Sequence, residues 1–143
     1  MYLSVKVILM TKIEHIGIAV KNIKASNALF SALFNTTPYK IEDVLSEGVK
    51  TSFFNVGGNK IELLEATTPN SPIAKFIEKK GEGIHHIAFD VDDINAELQR
   101  LKQEGFVLIN DVPKRGADNK WVAFLHPKST NGVLVELCQD IKD

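Results

Sequence analysis

Residues 13–25, IEHIGIAVKNIKA, come back as residues 84–96, IHHIAFDVDDINA. At a constant spacing of 71 residues, Ile13, His15, Ile16, Val20, Ile23 and Ala25 recur as Ile84, His86, Ile87, Val91, Ile94 and Ala96. A second pair follows, KIELLE at 60–65 and LVELCQ at 134–139, in which Glu62 and Glu136 stand 74 residues apart. The wider spacing places a small insertion in the second copy, in the turn KSTNG at 128–132. Internal repetition is the strongest constraint available on a chain of this length. It demands two similar units, each with an apolar face that the whole must cover.

Each copy reads as strand, helix, then three strands. In the first, residues 13–20 alternate, and Asn22 is a good N-cap for a helix reaching about Phe34. Stretches 39–45, 50–57 and 60–66 are strand-like, and Gly57-Gly58 supplies a hairpin turn between the last two. A linking helix at about 71–80 is signalled by Ser71 as cap, Pro72 at the first helical position and Gly81 as stop. The second copy gives a strand at 84–91, a helix at about 94–104 capped by Asp92 or Asp93 and ended by Gly105, and strands near 106–110, 121–126 and 133–139. The expected fold is a single α+β domain over residues 1–143. It comprises two βαβββ modules, about 13–66 and about 84–139, joined by the linking helix and forming a cup of mixed β-sheet.

Composition narrows the function. With 143 residues, 44% of them hydrophobic, one domain with a real core is expected. Both charge signs are mixed along the chain and the net charge is -1, so nucleic acid is not an expected partner. The lone Cys138 excludes an internal disulfide and suits a reducing, cytoplasmic compartment. The apolar opening, MYLSVKVILM, is too short to span a membrane and has neither the basic start nor the cleavage site of a secretory signal. Residues 1–9 read as a frayed tail, an extra strand or an upstream start, with Met10 the more natural beginning.

The repeat also gathers chemistry. If the modules pack about a pseudo-twofold axis, equivalent positions meet there. His15 and His86 lie on the two first strands, and Glu62 and Glu136 on the two last strands. Two imidazoles and two carboxylates suit Co, Ni, Mn, Fe, Zn or Mg. Side chains two apart on a strand share a face, and the neighbours on that face are small: Gly17 after His15, Ala88 after His86. They leave room for water or substrate. Singly, each residue reads as structural; as two equivalent pairs they read as ligands. His85 falls on the other face from His86 and reads as a packing or hydrogen-bonding residue. His126, in FLHPK, suits either a structural role or the cleft wall, and Cys138 shares a face with Glu136. The loop VPKRGADNK at 112–120, with Lys114, Arg115 and Lys120, reads either as a solvated basic loop or as a ligand-closing one.

These residues resemble the vicinal oxygen chelate superfamily, and within it the methylmalonyl-CoA epimerases. The likeness runs from Ile13 to about Gln139 and rests on IEHIGIAV, IELLE, NSPIAKFIEKKGEGIHHIAFDVDDI and FLHPKSTNGVLVEL. It implies His15, Glu62, His86 and Glu136 as ligands of one divalent ion per site, Co²⁺ first, with Zn²⁺, Mn²⁺, Ni²⁺ or Mg²⁺ as alternatives. It implies an acyl-CoA substrate, interconversion of the C2 epimers of methylmalonyl-CoA through an enolate that the metal stabilises, and a homodimer. Some relatives place a proposed base, Glu, two residues after a Gly-Val pair; this chain has Thr51 there. Glu47 is the nearby substitute, and Glu136 is the other catalytic candidate. The rival readings are a glyoxalase I-type lyase and a non-catalytic binding member of the superfamily.

Overall fold

The computed structural model describes residues 10–142, so the readings of residues 1–9 lie outside the described residues. The elements follow the duplicated plan. The first module is β1 (Met10–Ala19), α1 (Ile23–Phe34), β2 (Lys40–Val44), β3 (Val49–Val56) and β4 (Asn59–Ala66). Helix α2 (Pro72–Lys80) links it to β5 (Gly83–Val91), α3 (Ile94–Gln103), β6 (Lys114–Arg115), β7 (Lys120–Leu125) and β8 (Val135–Asp140). Local chemistry sets the boundaries. The side chains of Asn22, Ser71 and Asp93 accept from the backbone N–H groups of Ala25, Ala74 and Ala96, capping each helix start. Gly57 and Gly58 both take positive φ, 59° and 87°, as a tight hairpin turn requires.

Among the described residues, eight strands form one sheet in the order β2-β3-β4-β1-β5-β8-β7-β6. Each module contributes half of it, and the order within one half mirrors that of the other. β1 pairs in parallel with β4, and β5 with β8, while β1 and β5 join the halves antiparallel at the centre. The sheet curls into a half-barrel. Helices cover its outer face: α1 delivers Ile23 onto Phe54 and Leu63, and α3 delivers Ile94, Leu98 and Leu101 onto Ala123, Leu125 and Leu137. Each large aliphatic side chain so buried stabilises the fold by about 1.5–3 kcal/mol. Helix α2 closes one end of the inner face, with Ile73 against Ala19, Val49 and Leu64.

One element departs from expectation. Residues 106–110 do not form a strand; Leu108 makes a single isolated bridge to Leu125. Phe106 and Leu108 pack instead against the α3 cluster, and the short β6 arises at Lys114–Arg115, within the stretch read as a loop. Burial of two aromatic and aliphatic side chains outweighs regular pairing there.

Candidate active site

The antiparallel seam between β1 and β5 places the two histidines. His15 pairs with Ala88, and Gly17 pairs with His86, a reciprocal arrangement. The glycine is needed for it: a Cβ on Gly17 would lie 2.2 Å from His86 Cε1. The pairing also slips three times, once between Met10 and Lys12 and twice beside the histidines. Ile13 pairs with Phe89 but His15 with Ala88, which leaves Glu14 as an extra residue; Gly17 pairs with His86 but Ile18 with Ile84, which leaves His85 extra. Such bulges break strict alternation and re-aim side chains. Glu14 and His85, 71 residues apart, therefore turn toward the histidine that follows each of them. Glu14 Oε1 lies 3.4 Å from His15 Nδ1, and His85 Nδ1 lies 3.0 Å from His86 Nδ1. His85 is thus not confined to the opposite face. It packs edge-on against Phe76 at 4.9 Å, bonds His86, and lines the central cavity.

Around the axis, His15 Nε2 and His86 Nε2 are 2.9 Å apart. Glu136 Oε1 lies 2.9 Å from the first and 3.2 Å from the second. Glu62 Oε2 meets the other nitrogen of the same ring, 3.0 Å from His15 Nδ1. All four side chains are buried. The Nε2–Nε2–Oε1 triangle fits a divalent cation, because donors about 2.1 Å from one octahedral centre lie about 3.0 Å from each other. A second observation agrees: Glu136 Oε1 is buried and has no hydrogen bond of acceptable geometry, an acceptor suited to a cation. Cys138 is close by, with a donor atom within 4.8 Å of those of His15 and Glu136. Its burial, reinforced by Glu136 and Glu62, raises the thiol pKa well above its ordinary value, so the neutral form predominates.

The electrostatics have the same sign. Burial disfavours charge on His15, but the carboxylates of Glu62, Glu136 and Glu14 outweigh it and lift its pKa to about 10. Burial, with Glu136 and Glu14 nearby, lifts Glu62 to about 7 against the opposing pull of His15. Burial also acts to raise Glu136, yet its contacts with His15 and His86 hold it far below the usual carboxylate range. A proton on His15 thus balances carboxylates that a divalent ion would balance better, and binding such an ion would release that proton.

Above the cluster lies a cavity of about 240 Å³ whose wall is largely apolar, including Val49, Leu64, Ile73 and Phe124, with Glu62, His86 and Glu136 also lining it. Glu47, in a short 3-10 turn after β2, lines the same cavity and is ion-paired with Lys114 of β6. Thr51 of β3 lines it too. The basic loop does not form a cluster. Arg115 stacks over Trp121 at 5.3 Å, and Lys120 pairs with Asp140. His126 is exposed and accepts from the N–H of Lys128, away from the cavity lining.

The sequence reading missed Glu14, Lys60 and Asp118. Asp118, at the β6–β7 turn, accepts from Lys60 Nζ at 2.8 Å and Lys40 Nζ at 3.1 Å, and its own N–H donates to Glu42 at 3.0 Å. Lys60 also donates to Glu14 at 3.0 Å. The bonds of Asp118 with Lys40 and Glu42 tie the two far edges of the curled sheet together. Nothing in the repeat announces them, since they join non-equivalent positions of the two modules.

Comparison with known proteins gives a consistent picture. The family model of the Glyoxalase/Bleomycin resistance protein/Dioxygenase superfamily matches residues 14–124. The ethylmalonyl-CoA/methylmalonyl-CoA epimerase of Cereibacter sphaeroides is 42% identical over 90% of this chain and 97% of its own length. The mitochondrial methylmalonyl-CoA epimerase of Dictyostelium discoideum is 42% identical over 88% of this chain and 76% of its own. Among solved structures, a variant of Streptomyces coelicolor methylmalonyl-CoA epimerase in complex with 2-nitronate-propionyl-CoA superposes with a TM-score of 0.86 at 33% identity, covering 92% of this chain and 95% of that one.

Proposed function

Because this chain belongs to the Glyoxalase/Bleomycin resistance protein/Dioxygenase superfamily, we propose that it is a methylmalonyl-CoA epimerase that works with one divalent metal ion. The observation that carries the reading is the convergence of His15, His86 and Glu136 within 3.2 Å, the last two lining an apolar cavity, in a chain similar to acyl-CoA epimerases. His15, His86 and Glu136 would hold the ion, and Glu62, which lines the same cavity and meets the Nδ1 edge of the His15 ring, is the fourth donor we assign, reaching the ion by a turn of its side chain. Co²⁺ is the first candidate, with Zn²⁺, Mn²⁺, Ni²⁺ and Mg²⁺ as alternatives. When bound, such an ion supplies Lewis acidity to the thioester and carboxylate oxygens, which favours the enolate by several kcal/mol.

The chain's own groups do the rest. The apolar walls exclude water and lower the local dielectric around the acyl group. Epimerisation needs a base that takes the C2 proton and an acid that returns one to the other face. We assign these transfers to Glu136 at the metal cluster and to Glu47, whose carboxylate Lys114 holds at the cavity wall. The substrate is an acyl-CoA; a homodimer in a reducing cytoplasm is the state we assign to the working enzyme, checked by light scattering and fractionation. The test of function is solvent deuterium incorporation at C2 of methylmalonyl-CoA with added Co²⁺. Exchange is expected, and its absence where a control epimerase exchanges would remove the assignment.

A further inference from the structure

Thr51 is fully buried, at 0% exposure, in β3, and its hydroxyl has no hydrogen-bond partner among the described residues. A buried hydroxyl without a partner is disfavoured, and such a group in a native fold calls for an explanation. Its neighbour Ser52 shares that condition, also 0% exposed and unpartnered. What separates them is place: Thr51 lines the cavity over the metal-facing cluster, and Ser52 does not.

The internal repeat gives an independent comparison. Thr51 pairs across the sheet with Leu64, two residues beyond Glu62 on β4; Val122 pairs with Cys138, two residues beyond Glu136 on β8. Thr51 and Val122 are therefore equivalent positions of the two modules, and both line the cavity. Valine and threonine have nearly the same shape. One module fills its position with carbon alone, and the other spends the same volume on a hydroxyl that the protein leaves unbonded. Val49, Leu64 and Ile73 of the same wall are apolar, and Glu47 and Glu62, which also line the cavity, do not bond it.

We infer that the Thr51 hydroxyl is a substrate-contacting group, donating a hydrogen bond to an oxygen of the bound acyl group. This rests on the acyl-CoA reading above. Thr51 is not proposed to carry the C2 proton, since an alcohol is too weak a base; it holds the acyl group while the carboxylates move protons. The two modules then divide the work at this position. The hydroxyl of the first gives orientation, and Val122 of the second gives only shape.

The experiment compares wild type, Thr51→Val, Thr51→Ser and Ser52→Ala, each loaded with Co²⁺. Epimerisation kinetics, malonyl-CoA titration, bound metal and thermal melting are read on each. Thr51→Val is expected to lose about tenfold in kcat/KM and in malonyl-CoA affinity, the usual weight of one hydrogen bond to a ligand. Its metal content should be unchanged and its melting temperature no lower, because the substitution removes an unpartnered polar atom. Thr51→Ser should stay within about threefold of wild type, and Ser52→Ala should match it. Overturning results are Thr51→Val within about twofold of wild type, or equal losses in Thr51→Val and Thr51→Ser. A wild-type chain that binds malonyl-CoA but exchanges no deuterium would remove the epimerase reading and leave the affinity ratio to decide this one. A wild-type chain that binds no malonyl-CoA would remove both.

Discussion

The bulge in β1 turns an acid toward His15, while the matching bulge in β5 turns an imidazole toward His86. Glu14 is tied into a charged network, with Lys60 at 3.0 Å and Lys120 at 3.9 Å, and has no place in the cavity lining. His85 has no ionic partner among the described residues, packs on Phe76 and forms part of the cavity wall. The same backbone irregularity therefore serves a fixed, charged support in one half and a neutral, cavity-facing one in the other. Duplication preserved the backbone device; the side chain placed in it decides what that half of the site does.

The largest effects fall on the histidines themselves. His15→Ala and His86→Ala should each weaken Co²⁺ binding by more than about 100-fold, beyond the range typical of residues one contact removed from a metal. Equal, small losses measured by competition with a chelator would remove the shared-ion geometry. One contact out, Glu14→Gln and His85→Phe should each cost about 10–100-fold in metal affinity. Only His85→Phe should also raise KM, because only His85 lines the cavity; a KM change in Glu14→Gln alone would invert the contrast.

Acid unfolding sharpens it further. Burial and the proximity of His86 hold His85 at about 4, against an ordinary 6.5, with Glu136 opposing. The unfolded chain then binds the proton first, so stability is complete above about 6.5 and falls as pH drops toward about 4. Burial pushes Glu14 up, but its bonds to His15 and Lys60 and the charges of Lys60 and Lys120 outweigh it and hold Glu14 at about 2, against 4.5. Its stabilisation is present above about 4.5 and is lost as pH falls toward about 2. Each window should be worth about 2 kcal/mol after allowance for partial solvent screening. Denaturant melts of chelator-treated protein across pH should lose the upper window in His85→Phe and the lower one in Glu14→Gln.

The smallest effects concern the paired small residues. Gly17→Ala forces a methyl into the His86 ring and should cost about 1–2 kcal/mol together with some metal affinity. Ala88→Gly, at the equivalent position, should cost only about 0.5–1 kcal/mol and leave metal binding intact. Equal costs in chemical denaturation would mean that His86 is not held against the Gly17 backbone.

Much of this arrangement was legible in the residues. Repetition at a fixed spacing gave the halves, the caps and hairpin glycines gave the element ends, and the paired histidines and glutamates gave the cluster. Alternation failed at His85 because a bulge obeys no period. It failed for residues 106–110 because Phe106 and Leu108 serve the α3 cluster rather than a ladder. Glu62 was expected beside the other three donors, and it meets the far edge of the His15 ring.

By itself the sequence determined that there are two units, which residues are equivalent in them, and that two histidines and two glutamates stand at equivalent strand positions. These are properties of composition and spacing, carried by local propensity and period. Tertiary structure alone decided which way Glu14 and His85 point, that Glu47 is held by Lys114 at the cavity wall, and that Asp118 fastens the far edges of the sheet. Those outcomes depend on how two strands slip past one another and on where a curled sheet brings its edges. Both are settled by packing the whole chain at once, and no local stretch of residues encodes them.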